Sequence, residues 1–240
     1  MRCLQSIKVL VPAACAALAM FSFAGLALAH EADVPFENVG GKIVTGHYHD
    51  GEFHSEYVFQ KRFNDSEVDP NWVEMCFDSE ASAWRAGSAI GFSILDALRV
   101  WDGSDFDAIP PERLVISYGS RSVTTPETAT MVSGFDMPTA NGTWHYHPAF
   151  TLLSPYSDGI YLLQMGLYST VQSVTNSDPF YIVFRQDEVA GGSGSAEEWN
   201  AAAAYVESHI VPEPGTLALL AAGAAAALLH LRRRRRSQNG

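Results

Sequence analysis

Two His-x-His pairs are the residues of this chain whose types and spacing most directly suggest chemistry. They lie in the segments Gly46-His47-Tyr48-His49 and Trp144-His145-Tyr146-His147. On an extended strand alternate side chains share one face, which places the two imidazoles of each pair about 7 Å apart. Neutral imidazole binds Zn²⁺, Cu²⁺ and Ni²⁺. If the two pairs lie on neighbouring strands, four imidazoles can surround one ion, and this is the arrangement that we expect.

Further candidate ligands follow the first pair, where Asp50, Glu52 and His54 lie within seven residues of His47. The predicted ion is Zn²⁺, with Cu²⁺ as the alternative, and the carboxylates would bind it or orient the rings. The predicted metal ligands are His145, His147, His47, His49 and His54. The competing interpretation is a polar strand face whose histidines bind no metal.

Cys76 stands between Met75 and Phe77, and this apolar setting predicts a buried, small hydrophobic side chain. The other two cysteines, Cys3 and Cys15, belong to an N-terminal segment that we expect to be removed. No intramolecular disulfide is then available, and no cysteine is expected among the metal ligands.

The elements that must position these residues are mostly β-strands. Runs rich in aromatic and β-branched residues are separated by turn formers such as Asn141-Gly142. The predicted strands are Lys42 to Thr45, Glu56 to Gln60, Trp72 to Phe77, Leu114 to Tyr118, Gly159 to Met165 and Phe180 to Phe184. Their spacing predicts a mainly β fold, an antiparallel β-sandwich or jelly-roll-like ectodomain. Residues 88–100 are expected to be partly helical.

A helix is predicted after the glycine- and serine-rich segment 190–195. Ser195 and Glu198 have the spacing of a capping box, and the alanine-rich residues that follow predict a helix to about His209. We expect this helix to serve as a spacer between the β-rich domain and the C-terminus.

The N-terminus has the three parts of a signal peptide. Arg2 and Lys8 precede a mostly apolar run, and Ala27-Leu28-Ala29 is a small-x-small cleavage site for signal peptidase. Cleavage there makes His30 the first mature residue. An N-terminal histidine resembles the copper ligand of lytic polysaccharide monooxygenases, which implies, as a third function, a copper oxygenase acting on polysaccharide.

The C-terminus combines an apolar run, residues 217–231, with a cluster of arginines. A run of this length can cross a thin bilayer as one transmembrane helix, and the arginines keep their own end in the cytoplasm. Everything before it is then predicted to lie outside the cytoplasm. The cluster consists of Arg232, Arg233, Arg234, Arg235 and Arg236.

The box Pro212-Glu213-Pro214 directly precedes the apolar run. Box, helix and basic tail together resemble the PEP-CTERM sorting signal of Gram-negative bacteria, also catalogued as an ice-binding-protein C-terminal domain. The resemblance implies recognition by an exosortase, a membrane cysteine transpeptidase, and then display at the cell surface or in the extracellular matrix. The predicted organisation is a signal peptide (1–29), a β-rich extracellular domain (30–189), a hinge with a spacer helix (190–210) and the sorting signal (211–236).

A second resemblance covers the later half of the β-rich domain. Three segments resemble a family of PEP-CTERM proteins repressed by the zinc-uptake regulator: Gly142-Thr143-Trp144-His145-Tyr146-His147-Pro148, Gly159-Ile160-Tyr161-Leu162-Leu163 and Ser177-Asp178-Pro179-Phe180-Tyr181-Ile182-Val183-Phe184. This resemblance implies expression under zinc limitation and zinc capture at the surface.

The net charge of the segment predicted to be exported restricts the classes of molecule that it can bind. Between His30 and Val211 there are 26 acidic and 8 basic residues, a net charge of −18. Such a surface repels nucleic acid and attracts cations. The leading hypothesis is a surface protein that binds zinc without catalysis. The alternative is a structural or adhesive matrix protein, with exopolysaccharide as its partner.

Overall fold

The computed structural model describes residues 33–63, 71–79, 84–187 and 194–211. Within them the chain forms fifteen strands, one α-helix and one π-helical turn. The strands are β1 (Val34–Val39), β2 (Lys42–His49), β3 (Glu52–Ser55), β4 (Val58–Arg62), β5 (Trp72–Glu74), β6 (Phe77–Ser79), β7 (Ala89–Ile94), β8 (Arg99–Val100), β9 (Leu114–Tyr118), β10 (Arg121–Thr124), β11 (Val132–Pro138), β12 (Trp144–Tyr146), β13 (Ala149–Leu152), β14 (Gly159–Ser169) and β15 (Phe180–Gln186). The helix α1 (Ala196–Tyr205) runs into the π-helical turn Val206–Ile210.

The strands form three open sheets, so the prediction of a mainly β fold is confirmed. The first has the order β12-β6-β1-β2-β3, and the second has the order β10-β9-β13-β5. The third has the order β11-β7-β14-β15-β4, and β8 pairs with β14 beside this path. Most pairings are antiparallel, but β1 pairs with β6 and β15 pairs with β4 in parallel. The predicted antiparallel arrangement is therefore wrong at these two places.

Aromatic side chains dominate the core between the sheets. Phe36, fully buried, packs edge-on to Trp144 with ring centroids 5.3 Å apart, and its centroid lies 5.8 Å from that of Trp84. Farther along, Phe150 and Phe184 are also fully buried and pack with centroids 5.5 Å apart. Each such side chain removes a large apolar surface from water, and this burial is the main term that holds the sheets together.

The predicted capping box starts α1, which confirms the predicted helix. The Ser195 hydroxyl accepts the Glu198 backbone N–H at 3.2 Å, and the Glu198 carboxylate accepts the Ser195 N–H in return. The helix packs against the third sheet, where the small side chains of Ala202 and Ala203 allow a close approach. The Trp199 indole N–H donates to the Val183 carbonyl at 2.9 Å. The helix that the sequence assigns to a spacer is therefore packed on the domain.

Two local predictions fail for reasons of tertiary pairing. Residues 88–100 are not helical, because β7 is paired between β11 and β14 and its side chains lie in the core. The single strand predicted from Trp72 to Phe77 is split into β5, in the second sheet, and β6, in the first. The chain passes between the two sheets at Met75 and Cys76, so Cys76 lies where the first sheet begins.

Candidate metal centre

The second His-x-His pair is oriented by the aromatic residues that alternate with it. Trp144 is buried, and its indole N–H donates to the Met137 carbonyl at 3.0 Å. Tyr146 packs against Trp144 with ring centroids 4.7 Å apart. Because alternate side chains of a strand point to opposite faces, this anchoring turns His145 and His147 to the outer face of the first sheet.

The neighbouring strand β6 brings Cys76 and Asp78 to the same outer face. The register pairs Tyr146 with Phe77 and His145 with Asp78. When the same register is continued by one residue, His147 stands opposite Cys76. A Cys-x-Asp pair thus faces a His-x-His pair across two antiparallel strands. We call these four residues the Cys–His cluster.

The candidate ligand atoms of the Cys–His cluster are close together. One atom from each of Cys76, His145 and His147 can be chosen so that all three lie within 4.8 Å of one another. Nε2 of His145 is 2.9 Å from Nε2 of His147, and Nδ1 of His145 is 4.0 Å from the Cys76 sulfur. The imidazole centroids are 4.8 Å apart.

Asp78 fixes the ring of His145. Its Oδ1 lies 3.2 Å from Nδ1 of His145, and its side chain is only 14% exposed, against 50% for the histidine. A carboxylate in this position accepts the Nδ1–H and leaves Nε2 as the basic, ligating nitrogen. This pairing is typical of histidines that bind metal ions.

Cys76 is buried, with 1% of its surface exposed, and the charged groups of Asp78, Asp33 and Lys61 lie near it. Its backbone N–H donates to the Asp33 carboxylate at 2.8 Å, and Lys61 binds the other oxygen of that carboxylate, also at 2.8 Å. Burial, and then the charges of Asp78 and Asp33, raise the pKa of the Cys76 thiol to about 11. Without a cation the thiol is protonated, and a divalent ion would replace that proton.

The first His-x-His pair lies elsewhere. His47 and His49 are on β2, and both β1 and β6 separate β2 from β12, a distance of roughly 14 Å at the usual strand spacing. The strand registers also put His47 on the same sheet face as Tyr146, which is opposite to the face of His145. The expectation that both pairs surround one ion is therefore wrong.

His47 instead pairs with His54, another of the predicted ligands. The two stand opposite each other on β2 and β3, with ring centroids 5.5 Å apart, and His49 lies 6.5 Å from His54 by the same measure. The structure thus divides the five predicted histidines into a pair on β12 and a group of three on the β2–β3 hairpin.

Sequence reasoning missed Cys76 and Asp78 as members of the site. The burial predicted for Cys76 is confirmed, but burial did not exclude it from the histidine cluster. The local signal that could have found both is the alternation in Cys76-Phe77-Asp78, which puts the thiol and the carboxylate on one strand face.

The remaining predicted functional residues lie outside the described ranges. These are His30, Pro212, Glu213, Pro214 and the arginine cluster of residues 232–236. In the part of the chain that is described, no helix has both the length and the apolar character needed to cross a membrane. The predicted membrane segment, residues 217–231, falls in the undescribed part.

Comparison with known families identifies the C-terminus. Residues 211–235 match the family model of the PEP-CTERM protein-sorting motif. The chain therefore belongs to the class of exported proteins whose precursors are anchored in the membrane and processed by exosortase. It is a PEP-CTERM protein. No curated protein and no solved structure matches it.

Proposed function

We propose that this exosortase-sorted, extracellular protein binds a divalent transition metal, zinc in the first place, at the Cys–His cluster. The observation that carries the proposal is the convergence of Cys76, His145 and His147, whose ligand atoms lie within 4.8 Å of one another. Thiolate and imidazole together are the ligands that Zn²⁺ prefers. Cu²⁺ is the alternative ion.

The positions of His145 and His147 fit tetrahedral zinc after small shifts of the two rings. Zinc–ligand bonds of about 2.0–2.1 Å to nitrogen and 2.3 Å to sulfur place the ligands about 3.3–3.6 Å from one another. The two Nε2 atoms are 2.9 Å apart and would move apart by about 0.4 Å to bind one zinc ion. Two imidazoles on one tetrahedral ion also have ring centroids about 5 Å apart. The centroids of His145 and His147 are 4.8 Å apart.

The charges around the cluster favour a cation. Burial raises the pKa of the Cys76 thiol, and the charges of Asp78 and Asp33 raise it further, although Lys61, which is paired with Asp33, lowers it. A bound divalent ion would stabilise the Cys76 thiolate, because the carboxylates that disfavour a bare thiolate favour a cation beside it. In addition to these local charges, the net charge of −18 over residues 30–211 attracts cations to the protein at long range.

The number of ligands suits reversible capture. Three side chains supply thiolate and imidazole, which leaves one tetrahedral position for Asp78 or for water. The half-exposed His145 gives the position access to solvent. A surface protein that takes up zinc from dilute solution needs such access, and the resemblance to proteins repressed by the zinc-uptake regulator supports this role.

A zinc competition assay on the full-length chain in detergent tests the proposal. The wild type should take zinc from a chromogenic chelator, and a His145→Ala/His147→Ala variant should lose that binding. His209→Ala is the matched control, since it removes an exposed imidazole that stacks on Tyr205, away from the cluster. Equal affinity in wild type and double variant would contradict the proposal. Weak metal uptake combined with binding to exopolysaccharide would favour the adhesive alternative.

A further inference from the structure

The β2–β3 hairpin carries a ladder of imidazoles and carboxylates on one face. Cross-strand partners are His47 with His54 and His49 with Glu52. The ladder continues by one residue, because the Glu56 backbone N–H donates to the Thr45 carbonyl at 2.9 Å. Residues that stand opposite each other in antiparallel strands project from the same face. Three histidines and two glutamates are thus gathered within five consecutive rungs of one hairpin, on the three alternate rungs that share a face.

A tight turn fixes the register of this ladder. Asp50 and Gly51, the two turn residues, both have positive φ, 52° and 81°. This is the left-handed conformation of a two-residue hairpin turn, whose twist matches that of the strands. On the other face, Tyr48 and Phe53 pack edge-on with centroids 5.4 Å apart, and the Tyr48 hydroxyl donates to Glu37 at 2.7 Å. The aromatic face holds the hairpin, so the histidines occupy defined positions.

Glu56 orients His47 as Asp78 orients His145. Its Oε2 lies 3.0 Å from Nδ1 of His47. A carboxylate that accepts the Nδ1–H leaves Nε2, on the far side of the ring, as the ligating nitrogen. The same arrangement therefore occurs twice in the first sheet, on opposite faces.

The ring spacing suits one shared ion. The rings of His47 and His54 are stacked at 24° with centroids 5.5 Å apart, close to the separation of about 5 Å for two imidazoles on tetrahedral zinc, and they bind one ion after rotating toward each other. His49, whose side chain is 75% exposed, is 6.5 Å from His54 and can approach by rotating its side chain. The carboxylates of Glu52 and Glu56 lie on the same face as the three rings and favour a cation there.

From this geometry we propose that the β2–β3 hairpin is a second metal site. His47, His54 and His49 bind one divalent transition-metal ion there, and Glu56 positions His47. The site offers imidazole and carboxylate ligands without thiolate, and it is more exposed than the Cys–His cluster. It therefore binds more weakly and exchanges its ion faster. The proposal does not rest on metal binding by the Cys–His cluster, since the two sites share no residue.

Cobalt(II) distinguishes the two sites in the full-length chain in detergent. The wild type should bind two equivalents, and the first should show the near-ultraviolet charge-transfer absorption of a cobalt–thiolate bond. The variant His54→Ala should bind one equivalent and keep that absorption. Conversely, Cys76→Ala should lose the absorption and keep the hairpin equivalent. Ser55→Ala, an exposed substitution on the opposite face of the hairpin, is the matched control and should bind two equivalents.

A conservative substitution, which keeps the size of the side chain and removes its charge, checks the role of Glu56. Glu56→Gln should weaken the second equivalent by about 10- to 100-fold and leave the first unchanged. One equivalent in the wild type with the thiolate absorption, or two equivalents in His54→Ala, would overturn the hairpin site and leave the Cys–His cluster standing. One equivalent without that absorption, lost in His54→Ala, would support the hairpin site and contradict the Cys–His cluster.

Discussion

Zinc binding at the Cys–His cluster should become tighter as pH rises, because Cys76 must lose a proton to bind the ion. The surroundings of Cys76 raise its thiol pKa from 9.0 to about 11. At pH 7 roughly one thiol in ten thousand is then ionised, and removing the proton costs about 5 kcal/mol at 1.36 kcal/mol per pH unit. Zinc offsets this cost when it binds, and one proton is released.

The expected magnitude follows from one proton per ion. Between about pH 7 and pH 8.5 the zinc affinity of the wild type should rise about tenfold per pH unit, or about 30-fold in all. The measurement is competition with a chromogenic chelator in the presence of a reductant, with the chelator's own pH dependence subtracted. In Cys76→Ala the affinity should be nearly constant over this range, and His209→Ala should keep the wild-type slope. A flat wild-type profile, or an equal slope in Cys76→Ala, would refute the role of the thiolate.

Three further predictions concern the supports of the site and the fold. Asp78→Asn should weaken zinc binding by about 10- to 100-fold in the same competition assay, since the amide orients His145 poorly; unchanged affinity would contradict that role. Phe36→Ala should lower the free energy of unfolding by about 3–5 kcal/mol in a denaturant titration, because it opens a cavity beside Trp144. A loss below about 1 kcal/mol would contradict this prediction and show that the surrounding core fills the cavity. Ser195→Ala should cost about 1 kcal/mol in the same titration by removing the cap of α1, whereas a neutral effect would mean that packing alone holds the helix.

The strands that the sequence predicts best are those whose local pattern and tertiary burial agree. The run Leu114 to Tyr118 coincides with β9, and the run Phe180 to Phe184 lies inside β15. Both are rich in β-branched and aromatic residues, and both pair with strands on two sides. Residues 88–100 show the limit, because pairing between two strands imposed an extended backbone that the local sequence did not specify.

The candidate site could be predicted only in part, because its two halves are distant in sequence. The pattern Trp144-His145-Tyr146-His147 gives both the strand and the outward direction of the imidazoles. Cys76 is 69 residues away from His145 along the chain. Its apolar neighbours predict a core side chain and give no sign of a metal ligand. Only the pairing of β6 with β12 brings thiol and imidazole together, and no local signal specifies that pairing. The error over a single four-histidine site has the same cause, since strand order decides which pairs are neighbours.

X-ray absorption spectroscopy at the zinc edge tests the central claim most directly. The full-length chain, loaded with one equivalent of zinc, should show one sulfur ligand at about 2.3 Å and nitrogen or oxygen ligands at about 2.0–2.1 Å, with the multiple scattering of imidazole. These signals would come from Cys76, His145 and His147. A first shell of nitrogen and oxygen alone would contradict the Cys–His cluster as the zinc site.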